Sequence, residues 1–165
     1  MIHKSTDISN DNVKIQNKVN TVAFFAGSFN PFTKGHLDIV ERCAPLFGKI
    51  IIGIGINSNK EIAKESLDIR TASIKKAVGH IPNVGVTVFD CLTVDAAKEA
   101  GASVLIRGVR DFTDFEYEKR MAEVNRKLTG IETLLMICTP EYASISSSLV
   151  RELESFGYDV TQFLP

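Results

Sequence analysis

A histidine, a lysine, two arginines and a run of serines, each close to the end of an apolar segment, are the residues of this chain best suited to chemistry. The first sits in FFAGSFNPFTKGHLDIVERC, Phe24 to Cys43. Here an apolar run breaks into Gly27-Ser28-Phe29-Asn30-Pro31, and a helical pattern begins near Lys34, so His36 falls in the first helical turn. A strand-to-helix turn of this kind leaves backbone N–H groups unpaired, and the helix dipole adds positive potential there. Gly27 and Gly35 would let a ligand approach the backbone, and His36 could donate a hydrogen bond to a phosphate oxygen. The plainer alternative is a helix capped by Ser28 or Thr33, with His36 in solvent.

Lys60 follows Asn57-Ser58-Asn59 and would be a mobile cation able to swing over a reacting phosphate, or simply a solvated lysine. In RGVRDFTDFEYE, Arg107 ends a strand and Arg110 lies in the loop after it. The planar guanidinium matches phosphate bidentately, so two in one loop suit a di- or triphosphate, unless Arg110 pairs with Asp111 or Asp114. YASISSSLVREL places Ser146, Ser147 and Ser148 at a helix start, a second anion site with more hydroxyls than a cap requires. There is no GxxxxGK[ST], and the Gly53–Gly55 pair lies inside a strand without a third glycine, so a P-loop and a dinucleotide fingerprint both fail. Packing of a helix against the small residues is the expected reason for those two glycines.

The elements that must position these groups follow from hydrophobic periodicity. Strands are expected at Val22–Ala26, Lys49–Ile56, Val84–Phe89, Ser103–Gly108 and Thr133–Cys138. A helix carrying Leu37, Val40, Ala44 and Phe47 follows the first, with Pro45 kinking or shortening it. The others are expected near 67–79 (Ile69, Ala72 and Val78 inward), at Val94–Ala100, near Asp114–Leu128 and at Ser146–Phe156. Alternation of this kind predicts an α/β fold, a Rossmann-like doubly wound five-stranded parallel sheet with helices on both faces. Such a sheet binds ligands beyond the carboxyl ends of its strands. That rule selects Gly27–His36, Asn57–Lys60, Cys91–Thr93, Arg107–Arg110 and Glu141–Ser148, a set suited to a phosphate-rich ligand.

With 165 residues, 44% hydrophobic, and a net charge of -1, the chain has no electrostatic footprint for nucleic acid. Cys43, Cys91 and Cys138 stand singly in apolar runs and read as reduced core thiols, with no Cys/His cluster for a metal. No apolar run approaches a membrane span, and residues 1–20 form a polar stretch without a secretory h-region. A disordered extension at 1–20, a single domain over 21–165 and a cytoplasmic location are the resulting expectations.

Taken together, the motifs resemble the nucleotidylyltransferase superfamily. Thr33–His36 looks like its [HT]xGH signature, and ISSSLVR, Ile145 to Arg151, like its ISSTxxR signature. VLIRGVRDFTDFEYE, MAEVNRKL and YDVTQFLP narrow the resemblance to the bacterial phosphopantetheine adenylyltransferases, over about Val22 to Pro165. The resemblance implies transfer of AMP from ATP to 4′-phosphopantetheine, with Mg2+, in coenzyme A synthesis. It implies that His36 stabilises charge at the α-phosphate, that Ser28 lies where the substrates meet, and that Phe29 contacts the nucleotide. Lys60, Thr93 and Arg107 would hold phosphopantetheine, Lys60 also serving catalysis. Gly108, Val109, Arg110, Glu118 and the segment Tyr142, Ala143, Ser144, Ile145, Ser146, Ser147, Ser148 would form the ATP site. Homohexamers, dimers of trimers, are usual in the family, although no heptad or exposed apolar stripe is visible in the sequence.

The chain departs from the family pattern at Ala26 (usually proline), Asn30 (usually aspartate) and Tyr142 (often tryptophan). It also lacks a proline after Lys60 and ends at FLP, where members commonly carry one more helix; the expected effect is on packing or assembly. Alternatives are a nucleotidylyltransferase acting on nicotinamide mononucleotide or using CTP, and a nucleotide-binding domain without catalysis. A Rossmann-type oxidoreductase is weakened by the missing fingerprint.

Overall fold

The computed structural model describes residues 20–56 and 64–165. Among them five strands, β1 (Val22–Gly27), β2 (Lys49–Gly55), β3 (Val84–Phe89), β4 (Val104–Val109) and β5 (Glu132–Ile137), form one parallel sheet in the order β3-β2-β1-β4-β5. The helices between them are α1 (Lys34–Cys43), α2 (Lys64–Ala77), α3 (Thr93–Glu99) and α4 (Phe112–Thr129), and α5 (Ser147–Ser155) follows β5. The expected α/β architecture is therefore present, with β1 at its centre and the strand order reversing between β1 and β4.

Alternation along β1 divides the core. Ala23 and Phe25 join Ile50, Ile52 and Ile54 under α1 and α2, contributing Ile39, Val40, Cys43 and Ile74. Phe24 and Ala26 face the other way with Leu105 and the buried Val94, Ala96 and Ala97 of α3. Arg107 shares that second face with Leu105 by strand parity, and there it meets Glu118 of α4. Both faces of β1 are dry, which is why its run is apolar throughout rather than alternating.

Several boundaries differ from the expectation for local reasons. α1 stops at Cys43, with Ala44 as its C-cap, because Pro45 cannot continue the ladder. Asp111 accepts the amide of Asp114 and starts α4 earlier than periodicity suggested, while Gly130 at φ 76° closes it as expected. In α2 the expected inward residues Ile69 and Ala72 are exposed; the buried row is Arg70, Ile74 and Val78. Cys43 and Cys138 are buried, and burial raises the Cys43 thiol to about 11, but Cys91 is exposed and is not a core thiol.

Gly53 and Gly55 do not receive a helix. A Cβ on Gly53 would stand 2.2 Å from the ring of Phe24, and one on Gly55 3.1 Å from the ring of Phe89. The two rings meet edge to face, 5.7 Å between centroids, across the surface the glycines leave open. Phe24 is fully buried, so its ring has nowhere to retreat. Gly53→Ala should therefore destabilise the fold by about 1–3 kcal/mol through overpacking. A lowered urea midpoint at constant slope is the expected reading, and an unchanged midpoint would mean the ring yields freely.

Candidate active site

The strand-order reversal opens a cavity of about 330 Å³ at the carboxyl ends of β1 and β4, where the switch-point rule places ligands. β1 and its turn supply Gly27, Ser28 and Phe29 to the lining, and α1 supplies Thr33, Gly35 and His36. β4 and its loop supply Arg107, Gly108, Val109 and Arg110, α4 supplies Asp114 and Glu118, and the start of α5 supplies Ser146, Ser147, Ser148 and Arg151. A second, more open depression adjoins it, lined by Ala26, Gly27, Ser28, Gly55, Ile56, Phe89, Thr93, Arg107 and Tyr117.

His36 is oriented from its own helix start. Thr33, the N-cap of α1, donates its amide N–H to Nδ1 at 2.9 Å, and its hydroxyl lies 3.0 Å from the same nitrogen. An amide can only donate, so Nδ1 carries the lone pair, the hydroxyl donates as well, and the ring proton of the neutral imidazole sits on Nε2. Histidine thus takes the place that glutamate holds in an ordinary capping box. The rings of Phe25, Phe29 and Phe32 surround it, with Phe32 stacked at 5.4 Å. Burial, then the charges of Arg110 and Arg107, push the pKa of His36 down from 6.5 to about 4. Thr33 is a cap after all, but the alternative of a solvated His36 does not hold.

Both arginines are already held. Arg107 binds Glu118 bidentately, Nε at 2.8 Å and Nη2 at 2.6 Å, and donates Nη1 to the carbonyl of Ala26 at 2.7 Å. Arg110 binds Asp114 through Nε at 2.7 Å and Nη2 at 3.2 Å; that hydrogen bond raises the arginine pKa and lowers that of the carboxyl. Glu118 lines the cavity as the buried partner of Arg107, and Asp114, unremarked in the sequence as a site residue, has the same office for Arg110.

The three serines have three tasks. Ser146 caps α5 by accepting from the Leu149 amide, Ser147 donates to the carbonyl of Pro31 at 2.8 Å, and Ser148 accepts from Arg151. Ser147 thus holds the neighbouring turn, while Ser146 and Ser148, which only accept in these bonds, each keep an O–H that can donate. Further anion-binding capacity comes from the backbone: the amides of Ser28, Phe29, Ser147 and Ser148 donate to no described acceptor. Gly27 likewise serves the protein, since a Cβ there would stand 2.9 Å from the Phe29 ring.

Of the other expected site residues, Ile145 lines the cavity, whereas Tyr142, Ala143 and Ser144 do not. Tyr142 belongs to a 3-10 turn, Pro140–Tyr142, and packs beside Gly35. Thr93 lies in the second depression with Arg107 and Ser28. Lys60 and the rest of Asn57–Lys60 lie outside the described residues, as does almost all of 1–20. Asn30 borders a third hollow and is not among the residues that line the main cavity. Arg151, missed as a site residue, was legible as the third residue after Ser148, on the same face of α5.

A central parallel sheet with two open helix starts beside a held histidine is the nucleotidylyltransferase arrangement, and the chain belongs to the cytidylyltransferase-like family, whose model matches residues 24–153. More narrowly, it groups with the phosphopantetheine adenylyltransferases. That of Phocaeicola vulgatus is 48% identical over 143 residues, covering 87% of this chain and 94% of the relative. That of Heliobacterium modesticaldum is 46% identical, covering 88% of this chain and 86% of its own. The fold also matches a solved structure of a putative nicotinate-nucleotide adenylyltransferase from Vibrio parahaemolyticus, with a TM-score of 0.62 at 17% identity over 88% of this chain and 86% of that one.

The low pKa of His36 has a signed consequence. Between pH 6.5 and about 4 the unfolded chain takes up a proton that the folded ring refuses, so this residue makes stability fall as pH is lowered through that window. In a proton–carbon NMR titration, the resonance lost in His36→Asn should stay at its neutral position from pH 8 down to about pH 5. A midpoint near 6.5 would mean the ring is solvated.

Proposed function

We propose that this chain is a pantetheine-phosphate adenylyltransferase, joining the AMP of ATP to the phosphate of 4′-phosphopantetheine and releasing pyrophosphate, with dephospho-coenzyme A as the product. One observation carries the reading: Ala26, Gly27, Ser28 and Arg107 border both depressions, so two anionic ligands lying in them would meet at the end of β1. The names of the relatives at 46–48% identity support the substrate pair.

ATP would occupy the main cavity, its phosphates against the α5 start, Arg110 and His36, with Phe29, Gly108, Val109, Glu118 and the Tyr142–Ile145 segment shaping or backing the nucleotide site. Phosphopantetheine would lie against Thr93 and Arg107, and Ser28 would face both. Lys60 is proposed on the sequence resemblance as a cation over the reacting phosphates.

In the reaction, an acceptor phosphate oxygen forms a bond to the α-phosphorus as the bond to the α–β bridging oxygen breaks, and the electron pair leaves on pyrophosphate. The acceptor is largely ionised near neutral pH, so no general base is required, and no side chain need act as nucleophile. What the protein must supply is approach of two anions and stabilisation of the charge that develops between them. Nε2–H of a neutral His36 is a fixed donor for an α-phosphate oxygen, and its protonation state does not change across the physiological range. The unpaired amides and the two held arginines add donors that need no reorganisation.

Among the described residues no group of three His, Cys, Asp or Glu side chains could hold a metal, and both cavity carboxylates are already paired to arginine. The donor set does not fit a resident Mg2+, so magnesium is proposed to enter as part of the ATP substrate, on its phosphate oxygens. Assembly as a homohexamer and a cytoplasmic location are proposed on the family resemblance. Met121, Val124 and Leu128, an exposed apolar row on α4, support self-association. No helix among the described residues is long and apolar enough to cross a membrane.

Pyrophosphate release with magnesium and ATP should occur with 4′-phosphopantetheine and not with nicotinamide mononucleotide. Release with the mononucleotide alone would keep the family and overturn the substrate. His36→Ala should fold and lose about 10²–10³-fold in kcat, the usual cost of one transition-state donor. Turnover within a few-fold of the parent would remove His36 from the chemistry.

A further inference from the structure

Three carbonyls of the turn between β1 and α1 are taken up by side chains. That of Ser28 accepts Nη1 of Arg70 at 3.0 Å, that of Asn30 accepts Nη1 of Arg151, and that of Pro31 accepts the Ser147 hydroxyl at 2.8 Å. Inside this run Phe29 has φ 44°, a left-handed conformation that a bulky residue keeps only where its surroundings impose it. Its ring is packed 5.2 Å from Phe25, 5.5 Å from Phe32 and 5.2 Å from His36, edge-on to the imidazole. The turn is thus fixed from two sides, by apolar packing and by donors to its carbonyls.

Arg151 and Ser147 come from α5 and line the cavity; Arg70 does neither. It projects from α2, is only 7% exposed, and borders a separate hollow with Asn30, Pro31 and Phe32. No carboxylate among the described residues pairs with it. Burial, and then the charge of Arg151, lower its pKa, so the surroundings oppose the charge they contain. A leucine at this place in the Arg70, Ile74, Val78 row would fill the space without that penalty. What leucine would not supply is a donor to the Ser28 carbonyl.

We propose that Arg70 is a positioning residue for the adenylyl transfer: by holding the Ser28 carbonyl from behind, it keeps the Ser28 and Phe29 amides aimed at the phosphates without touching either substrate. This rests on the reaction proposed above. A turn displaced by about 1 Å can cost roughly 10²-fold in rate while the ligands still bind.

Arg70→Met keeps the length and apolar packing and removes the donors. Its kcat should fall about ten- to a hundredfold, with KM for ATP and phosphopantetheine nearly unchanged, and Arg70→Lys, which restores an N–H donor, should recover most of the loss. If Arg70→Met does not fold, Arg70→Gln, too short to hold the same contact, is read in the same way. A kcat within twofold of the parent, a rise confined to KM, or no recovery with lysine would each overturn the proposal. Should the parent itself release no pyrophosphate, the reaction is what fails. Arg70 is then judged by the 15N resonances of the Ser28 and Phe29 amides, which must move in the variant while those of β5 stay; unmoved resonances overturn it.

Discussion

A stretch of backbone that turns its N–H groups toward an anion must satisfy its carbonyls elsewhere, from side chains or from water, because the two alternate along the same chain and both are costly to leave dry. The rest of the site depends on this constraint. The turn after β1 meets it with Arg70, Arg151 and Ser147 on its carbonyls. Phe29 gives the turn its unusual bend, and the rings around it also enclose the histidine. One aromatic cluster therefore contributes both to the backbone geometry and, through burial, to the low pKa of the group beside it, which the charges of Arg110 and Arg107 lower further.

Charge in the cavity is treated in the same way, by fixing it before any ligand arrives. Arg107 and Arg110 are each gripped by one carboxylate of α4 through two nitrogens. Such pairing lowers the attraction each cation can exert at a distance, but it removes the side-chain entropy that an anion would otherwise have to overcome on binding. The result is a site whose net charge is modest and whose donors are stiff, in a chain whose net charge is only -1.

Much of this was legible in the sequence. The alternation of apolar runs and helical periods gave the parallel sheet, and the switch-point rule then found the β1, β4 and α5 ends without any motif. What escaped had physical reasons. Ile69 looked inward because it is apolar, yet the 70–74–78 row won, and a buried arginine cannot be recognised by a rule that expects apolar cores. The glycines of β2 looked like helix contacts because strand neighbours such as Phe24 become adjacent only through register. Glu118 and Arg107 read as separate ligand contacts, since their bond spans the β4–α4 connection. The exposed row on α4 was invisible for a simpler reason: periodicity marks a face as apolar but does not say whether anything covers it.

That helix has one more property. α4 runs 18 residues, a rod of about 27 Å. Its first half carries Asp114 and Glu118, which set the directions of both cavity arginines, while Met121, Val124 and Leu128 face outward along the same rod. The carboxylates that orient both cavity arginines and this exposed row thus stand on one continuous helical segment, so the two arginines take their directions from the same rod.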